Sequence, residues 1–182
     1  MLGDVTGVIS PDTKSTGLKS AIDTKSGISF FGSGRYVRLQ LTLLNTKPNT
    51  RTVFFPKGLV WKCNNGSYQN GLTCQTSWVC IPANSTRSIY IDVYCANANL
   101  LSNPTTNTTY QILGITTSRT IWKLLDLIGW KKINYEMYQQ FTKADGPGYD
   151  EITQRMQVMV HQLTDIGTGL SDEDIAFIQS IP

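Results

Sequence analysis

The residues of this chain most able to do chemistry are its four cysteines, Cys63, Cys74, Cys80 and Cys95, gathered in one short stretch. An even number of cysteines in a region rich in Thr and Asn suits an oxidising compartment and a disulfide framework, and four cysteines allow three full pairings. Cys74 and Cys80 fall on one face of a single expected strand, which advances ~3.3 Å per residue, so they lie too far apart to bridge each other unless the strand bends. Cys63 with Cys74, or Cys80 with Cys95, across neighbouring strands is the favoured pairing. The spacings lack the close Cys-x-x-Cys pairs that structural zinc uses. His161 is the single histidine, which leaves no repeated His pattern for a metal. No glycine-rich phosphate loop follows a strand. Asp172, Glu173 and Asp174 cluster at an expected helix start, where the helix dipole already accounts for them. The expectation is no metal, no cofactor and no conventional enzyme.

A second signal joins two distant places. Tyr94-Cys95-Ala96-Asn97 closes an apolar strand, and Met156-Gln157-Val158-Met159-Val160-His161-Gln162-Leu163-Thr164-Asp165 lies on the most regular helical pattern of the chain. Together they resemble the thioester domains of bacterial surface adhesins, in which an aromatic-Cys element ends a strand and a later helix carries a Gln. The resemblance rests on these two short motifs and covers the rest of the chain loosely. Here Arg155-Met156 precedes Gln157 where the family has Thr, Met159 replaces a small Ala, and His161 replaces a Trp. The resemblance implies that the Cys95 sulfur attacks the Gln157 carboxamide, releasing ammonia and leaving an internal thioester shielded by apolar neighbours. A lysine amine or a hydroxyl on a target would then attack the acyl carbon. His161, four residues after Gln157 on the same helix face, is placed to act as the base for that nucleophile.

The residues also carry plainer readings. Cys95 shares its apolar face with Ile89, Ile91 and Val93, which suits a disulfide or a buried free thiol equally well. Gln157 and His161 both fit as boundary residues of an amphipathic helix. Tyr90 and Tyr94 beside Asp92 alternate outward, where they would offer a platform for a ligand. Trp61, Trp78, Trp122 and Trp130 read as packing residues.

The elements that must position these groups change character along the chain. Turn chemistry punctuates residues 10–34: Pro11-Asp12, Gly17, Ser26-Gly27 and Gly32-Ser33-Gly34. Val37, Leu39, Leu41 and Leu43 then alternate with polar residues, as a half-buried strand requires. Strands are expected over 52–55, 59–63, 72–81 and 88–95, separated by Pro56-Lys57-Gly58, Asn64-Asn65-Gly66 and Pro82-Ala83-Asn84. After Gly114 the period becomes helical. Ser118 caps a helix to Ile128 that Gly129 ends, 133–141 forms a second short helix, and 150–164 is the strongest. Ser171 with Asp174 starts a last helix in a capping-box pattern. Strands first and helices afterwards predicts an α+β fold: an antiparallel β-sandwich over 1–112 with a helical subdomain over 113–182 packed on it.

Composition narrows the function class. Only 16% of the 182 residues are charged, and the net charge is +3. Thr, Ser and Asn take the place of Lys and Glu, which suits an extracellular surface, and no concentrated basic face points to nucleic acid. Met1-Leu2-Gly3-Asp4 shows neither the basic start nor the apolar run of an export signal. The longest apolar stretch, 121–130, is broken by Lys123 and Asp126 and is far short of the ~20 residues a membrane helix needs. The chain therefore reads as a secreted or cell-surface binding or adhesion module whose partner is an extracellular protein or glycan. Two alternatives stand beside it: covalent attachment through Cys95 and Gln157, and a structural segment of a larger surface protein.

Overall fold

A computed structural model describes residues 5–11, 30–32, 37–101, 109–134, 138 and 146–182. Among the described residues nine strands come first: β1 (Val5–Pro11), β2 (Phe30–Gly32), β3 (Val37–Asn45), β4 (Arg51–Phe55), β5 (Leu59–Cys63), β6 (Asn70–Leu72), β7 (Ser77–Ile81), β8 (Ser85–Ala96) and β9 (Tyr110–Ile115). Helices α1 (Arg119–Ile128), α2 (Tyr149–His161) and α3 (Asp172–Ser180) follow, with one π-helical turn, Gln162–Ile166, extending α2. The turn signals at 12–29 and 33–34 and most of the expected short helix at 133–141 lie outside the described residues.

The order is α+β, as expected, but the sheet differs from two facing layers. Six strands form one antiparallel sheet in the order β1-β3-β8-β6-β5-β9, and β2 adds a short parallel pairing on β8. The sheet curls until β1 approaches β9, making a half-barrel. β4 and β7 pair separately as a two-stranded ribbon. The alternation of β3 explains the curl's filling: Val37, Leu39, Leu41 and Leu43 are buried in an inner core with Ile89, Ile91 and Val93 of β8 and Trp61 of β5. The ribbon closes this core with Val53, Phe55, Val79 and Ile81. β9 crosses the boundary expected at 112, because its pairing with β5 runs from Tyr110↔Cys63 to Ile115↔Leu59.

A second core lies on the outer face of the sheet. There Leu72, Cys74 and Tyr94 meet Ile121, Leu124, Leu125 and Ile128 of α1, Ile152, Met156, Met159 and Val160 of α2, and Phe177 and Ile178 of α3. The helix ends follow their sequence signals. Ser118 Oγ accepts from the Ile121 N–H, and Gly129, at φ 49°, closes α1 with its N–H on the Leu125 carbonyl. Ser171 and Asp174 form a reciprocal capping box on α3, so Asp174 is occupied in holding a helix start.

Three expectations are corrected here. The run 72–81 is not one strand: β6 ends at Leu72 and β7 begins at Ser77, which sends Cys74 into the outer core and Cys80 to the surface. Trp78 and Trp130 are 50% and 73% exposed and do not pack in a core, whereas Trp61 is fully buried. All four cysteines are free thiols. The favoured pairings fail because their members belong to different places: Cys63 and Cys95 face the inner core, Cys74 the outer core, and Cys80 solvent.

Candidate functional site

The site forms where β8 ends. Cys95 sits opposite Gly71 of β6, and the register of β3 on the other side of β8 stops at Val37↔Val93. In an antiparallel ladder, alternate residues turn their N–H and C=O to opposite neighbours. Two residues beyond Val93, Cys95 therefore presents both groups to the edge that β3 has left. Gly71 is required opposite it, because a Cβ there would stand 2.5 Å from Val93 Cγ2.

α2 fills that edge with a side chain. Its apolar residues pack in the outer core, while Thr153, Gln157 and His161 recur every fourth residue as a polar stripe. Thr153 bonds its own helix, its Oγ1 donating to the Asp150 carbonyl at 3.0 Å. Gln157, 5% exposed, reaches the sheet. The Cys95 N–H donates to Gln157 Oε1 at 2.8 Å, and Gln157 Nε2 donates to the Cys95 carbonyl at 2.7 Å. The carboxamide thus behaves as one peptide unit of a missing strand. It satisfies two buried backbone groups whose desolvation would otherwise cost ~1–3 kcal/mol each. Because both bonds go to one residue, the amide carbon lies across from the Cys95 Cα. The sulfur, one bond beyond Cβ, packs with the inner core, and it reaches that carbon only by a change of χ1.

The rest of the arrangement holds this junction closed. Asn97, with φ 71°, turns the chain directly after β8, and its Oδ1 accepts from Asn70 Nδ2 at 2.9 Å. The Ala98 N–H donates to Asp165 Oδ2 at 3.0 Å, tying this turn to the π-helical turn that follows α2. A π turn re-aims the groups around it, and here it brings Asp165 back to the strand end.

His161 lies beside the carboxamide nitrogen, with Nε2 3.0 Å from Gln157 Nε2. The same ring nitrogen is 3.3 Å from Gln69 Oε1. Burial lowers the His161 pKa from its ordinary value of 6.5, and the nearby Asp165 carboxylate opposes that only in part. The ring is therefore neutral at physiological pH. Burial also pushes the Cys95 thiol up to about 12, so the sulfur is protonated in the resting protein. Any reaction it undergoes must move that proton within the site.

Of the residues singled out in the sequence, the structure joins Cys95, Gln157 and His161, which are up to 66 positions apart (161 − 95). It does not join Cys63, Cys74 or Cys80 to them by any bond. The ligand platform is corrected: Tyr94 is fully buried among the helices, its pKa raised by that burial, and its hydroxyl has no partner. Asp92 is half-buried, and the Tyr90 side chain lies outside the described residues. Alternation placed Tyr94 outward correctly, but the outer face of the sheet is covered by α2. Sequence reasoning missed Gln69, which is 4% exposed and sits in the turn before β6. Nothing in the pattern Ser67-Tyr68-Gln69-Asn70 marks it, since its role depends on long-range contacts. Among the described residues no group of three or more His, Cys, Asp or Glu stands together as metal ligands, and no helix is long and apolar enough to cross a membrane.

Compared with protein-family models, curated proteins and solved structures, the chain has no match.

Proposed function

We propose that this chain is a cell-surface adhesion module that attaches covalently to its target through an internal thioester between Cys95 and Gln157. The observation that carries this reading is the pair of hydrogen bonds by which the Gln157 carboxamide is held on the backbone of Cys95 itself. Holding two reactants in one buried place replaces a bimolecular encounter by an effectively unimolecular one. The Cys95 thiol adds to the Gln157 amide carbon, the C–N bond breaks, and the thiol proton leaves with the nitrogen as ammonia. The amide nitrogen points at His161, the half-exposed member of the site. A proton relay and an exit for ammonia therefore coincide on that side. A target amine then attacks the acyl carbon, loses a proton, and becomes the substituent of a new amide while Cys95 regains its thiol. The event happens once per molecule, so the chain is not an enzyme in the turnover sense. The Thr- and Asn-rich, weakly charged surface supports an extracellular setting, and the partner is an extracellular protein or a glycan carrying an amine or hydroxyl.

A second reading is favoured by the completeness of the hydrogen bonding. A carboxamide that satisfies both backbone groups of a strand end would hold the helix to the sheet with no reaction at all. The module would then bind non-covalently.

Accurate intact mass of the unreduced protein separates the two. The thioester predicts a mass lower by one ammonia, with three titratable thiols after denaturation where the unreacted chain has four. Methylamine should restore that mass deficit and more, with the label on Gln157. A full-length mass with four thiols and no methylamine uptake leaves the non-covalent module.

A further inference from the structure

Gln69 is built into this site more firmly than a loop residue needs to be. Its N–H donates to the Leu101 carbonyl at 2.9 Å, and its own carbonyl accepts from Tyr110 Oη at 3.1 Å. Its Nε2 donates to the Leu100 carbonyl at 2.7 Å, which fixes the carboxamide with Oε1 towards His161. Gln157 is fixed in the opposite sense, because its Oε1 is taken by the Cys95 N–H and its Nε2 is turned to His161. One ring nitrogen therefore stands between an N–H donor and a carbonyl acceptor. A bare Nε2 can take the bond from Gln157, at 3.0 Å, and a protonated Nε2 can give one to Gln69, at 3.3 Å. Neither state satisfies both neighbours.

We propose that Gln69 is a positioning residue that receives the Nε2–H of His161 whenever that nitrogen takes up a proton, giving the proton a resting place during formation and attack of the thioester. In the resting chain Nε2 is bare and accepts from the Gln157 amide. When the thiol or an incoming amine gives up its proton to Nε2, the new N–H turns to Gln69 Oε1. Once Gln157 has lost its nitrogen as ammonia, Gln69 is the partner that remains. The role rests on the thioester reading for its purpose, but the exchange of partners at Nε2 is open to measurement without it.

The experiment uses the C95A chain, in which Gln157 stays an amide, and follows the ¹⁵N and ¹H signals of the single histidine against pH. Asp165 on the π turn is the charged neighbour of the ring, and it is unchanged in every chain compared. Near neutral pH the ring should be the Nδ1–H tautomer. Q69M should lower the titration midpoint by about 1 pH unit, the loss of one hydrogen bond to a charged donor. With Cys95 restored, Q69M should also slow ammonia loss and methylamine uptake by about 10-fold. An unchanged midpoint in Q69M overturns the proposal. If Q69M does not fold, the C95A chain decides: below the midpoint its Nε2–H should exchange slowly, and exchange at the solvent rate overturns the proposal. If the wild-type chain never loses ammonia, the thioester reading falls while the midpoint still tests Gln69.

Discussion

Gln157 and Gln75 are both buried glutamines that tie a strand region to a helix, yet only Gln157 holds the backbone of a cysteine. Gln75, 4% exposed, closes the end of α1: its Nε2 donates to the carbonyls of Gly129 and Lys131, at 3.2 and 2.6 Å, and its Oε1 accepts from Asn134. Every partner is a backbone carbonyl or another amide. Gln157 uses the same functional group, but the residue it grips is a cysteine and the group beside its nitrogen is an imidazole. A satisfied buried carboxamide is therefore no sign of chemistry by itself. The distinguishing features are the cysteine on the gripped residue and the imidazole nitrogen beside the amide nitrogen, which the proposed thioester would use as nucleophile and proton relay.

The comparison breaks most sharply on covalent chemistry. C95A and Q157L should each abolish ammonia loss and methylamine uptake outright, whereas Q75L should leave both in place, all three read by intact mass. Next in size is His161. H161Q should slow methylamine uptake by about 10²–10⁴-fold, the usual worth of a positioned proton-transfer group. In that variant the mass deficit should still develop, given time.

Stability separates the two glutamines by a smaller margin. Q157L strands a buried N–H and a buried C=O of Cys95, so denaturant unfolding should show a loss of about 2–5 kcal/mol. Q75L leaves carbonyls at a helix end that water can partly reach, and about 1–3 kcal/mol is expected there. G71A tests the strand pairing beneath Cys95: its new methyl meets Val93 Cγ2, and overpacking of this kind costs about 1–3 kcal/mol.

The smallest effect is on pH. The folded chain holds the His161 pKa below its ordinary 6.5, so below that value the unfolded chain binds more protons than the folded one. Stability should then rise with pH between the lowered folded value and 6.5, and fall as acid protonates the ring. H161Q should remove that component of the slope while leaving the carboxylate component unchanged, as parallel denaturation curves at several pH values would show.

Cys80 and Trp78 show why part of the sequence reading failed. Period-2 alternation assigns residues to two faces but cannot say which face another layer will cover. Leu72, Cys74, Trp78 and Cys80 share a parity, and the break between β6 and β7 sends the first two inward and the last two to solvent. Tyr94 failed for the opposite reason: its face was assigned correctly, but α2 covers it.

The sequence by itself determined the local elements around the site. The alternation of 37–44, the Ser118 and Ser171 caps, the stop at Gly129 and the helical spacing of Ile152, Met156, Met159 and Val160 all follow from interactions within a few residues. It also marked Cys95, Gln157 and His161 as groups able to do chemistry. Only the tertiary structure decided that they meet. Where β3 stops relative to Cys95, which side of α2 covers that edge, and whether a turn brings Gln69 to the ring depend on contacts spanning 62 and 92 residues. Such contacts form only when the whole sheet has curled and the helices have closed over it, so no local pattern encodes them.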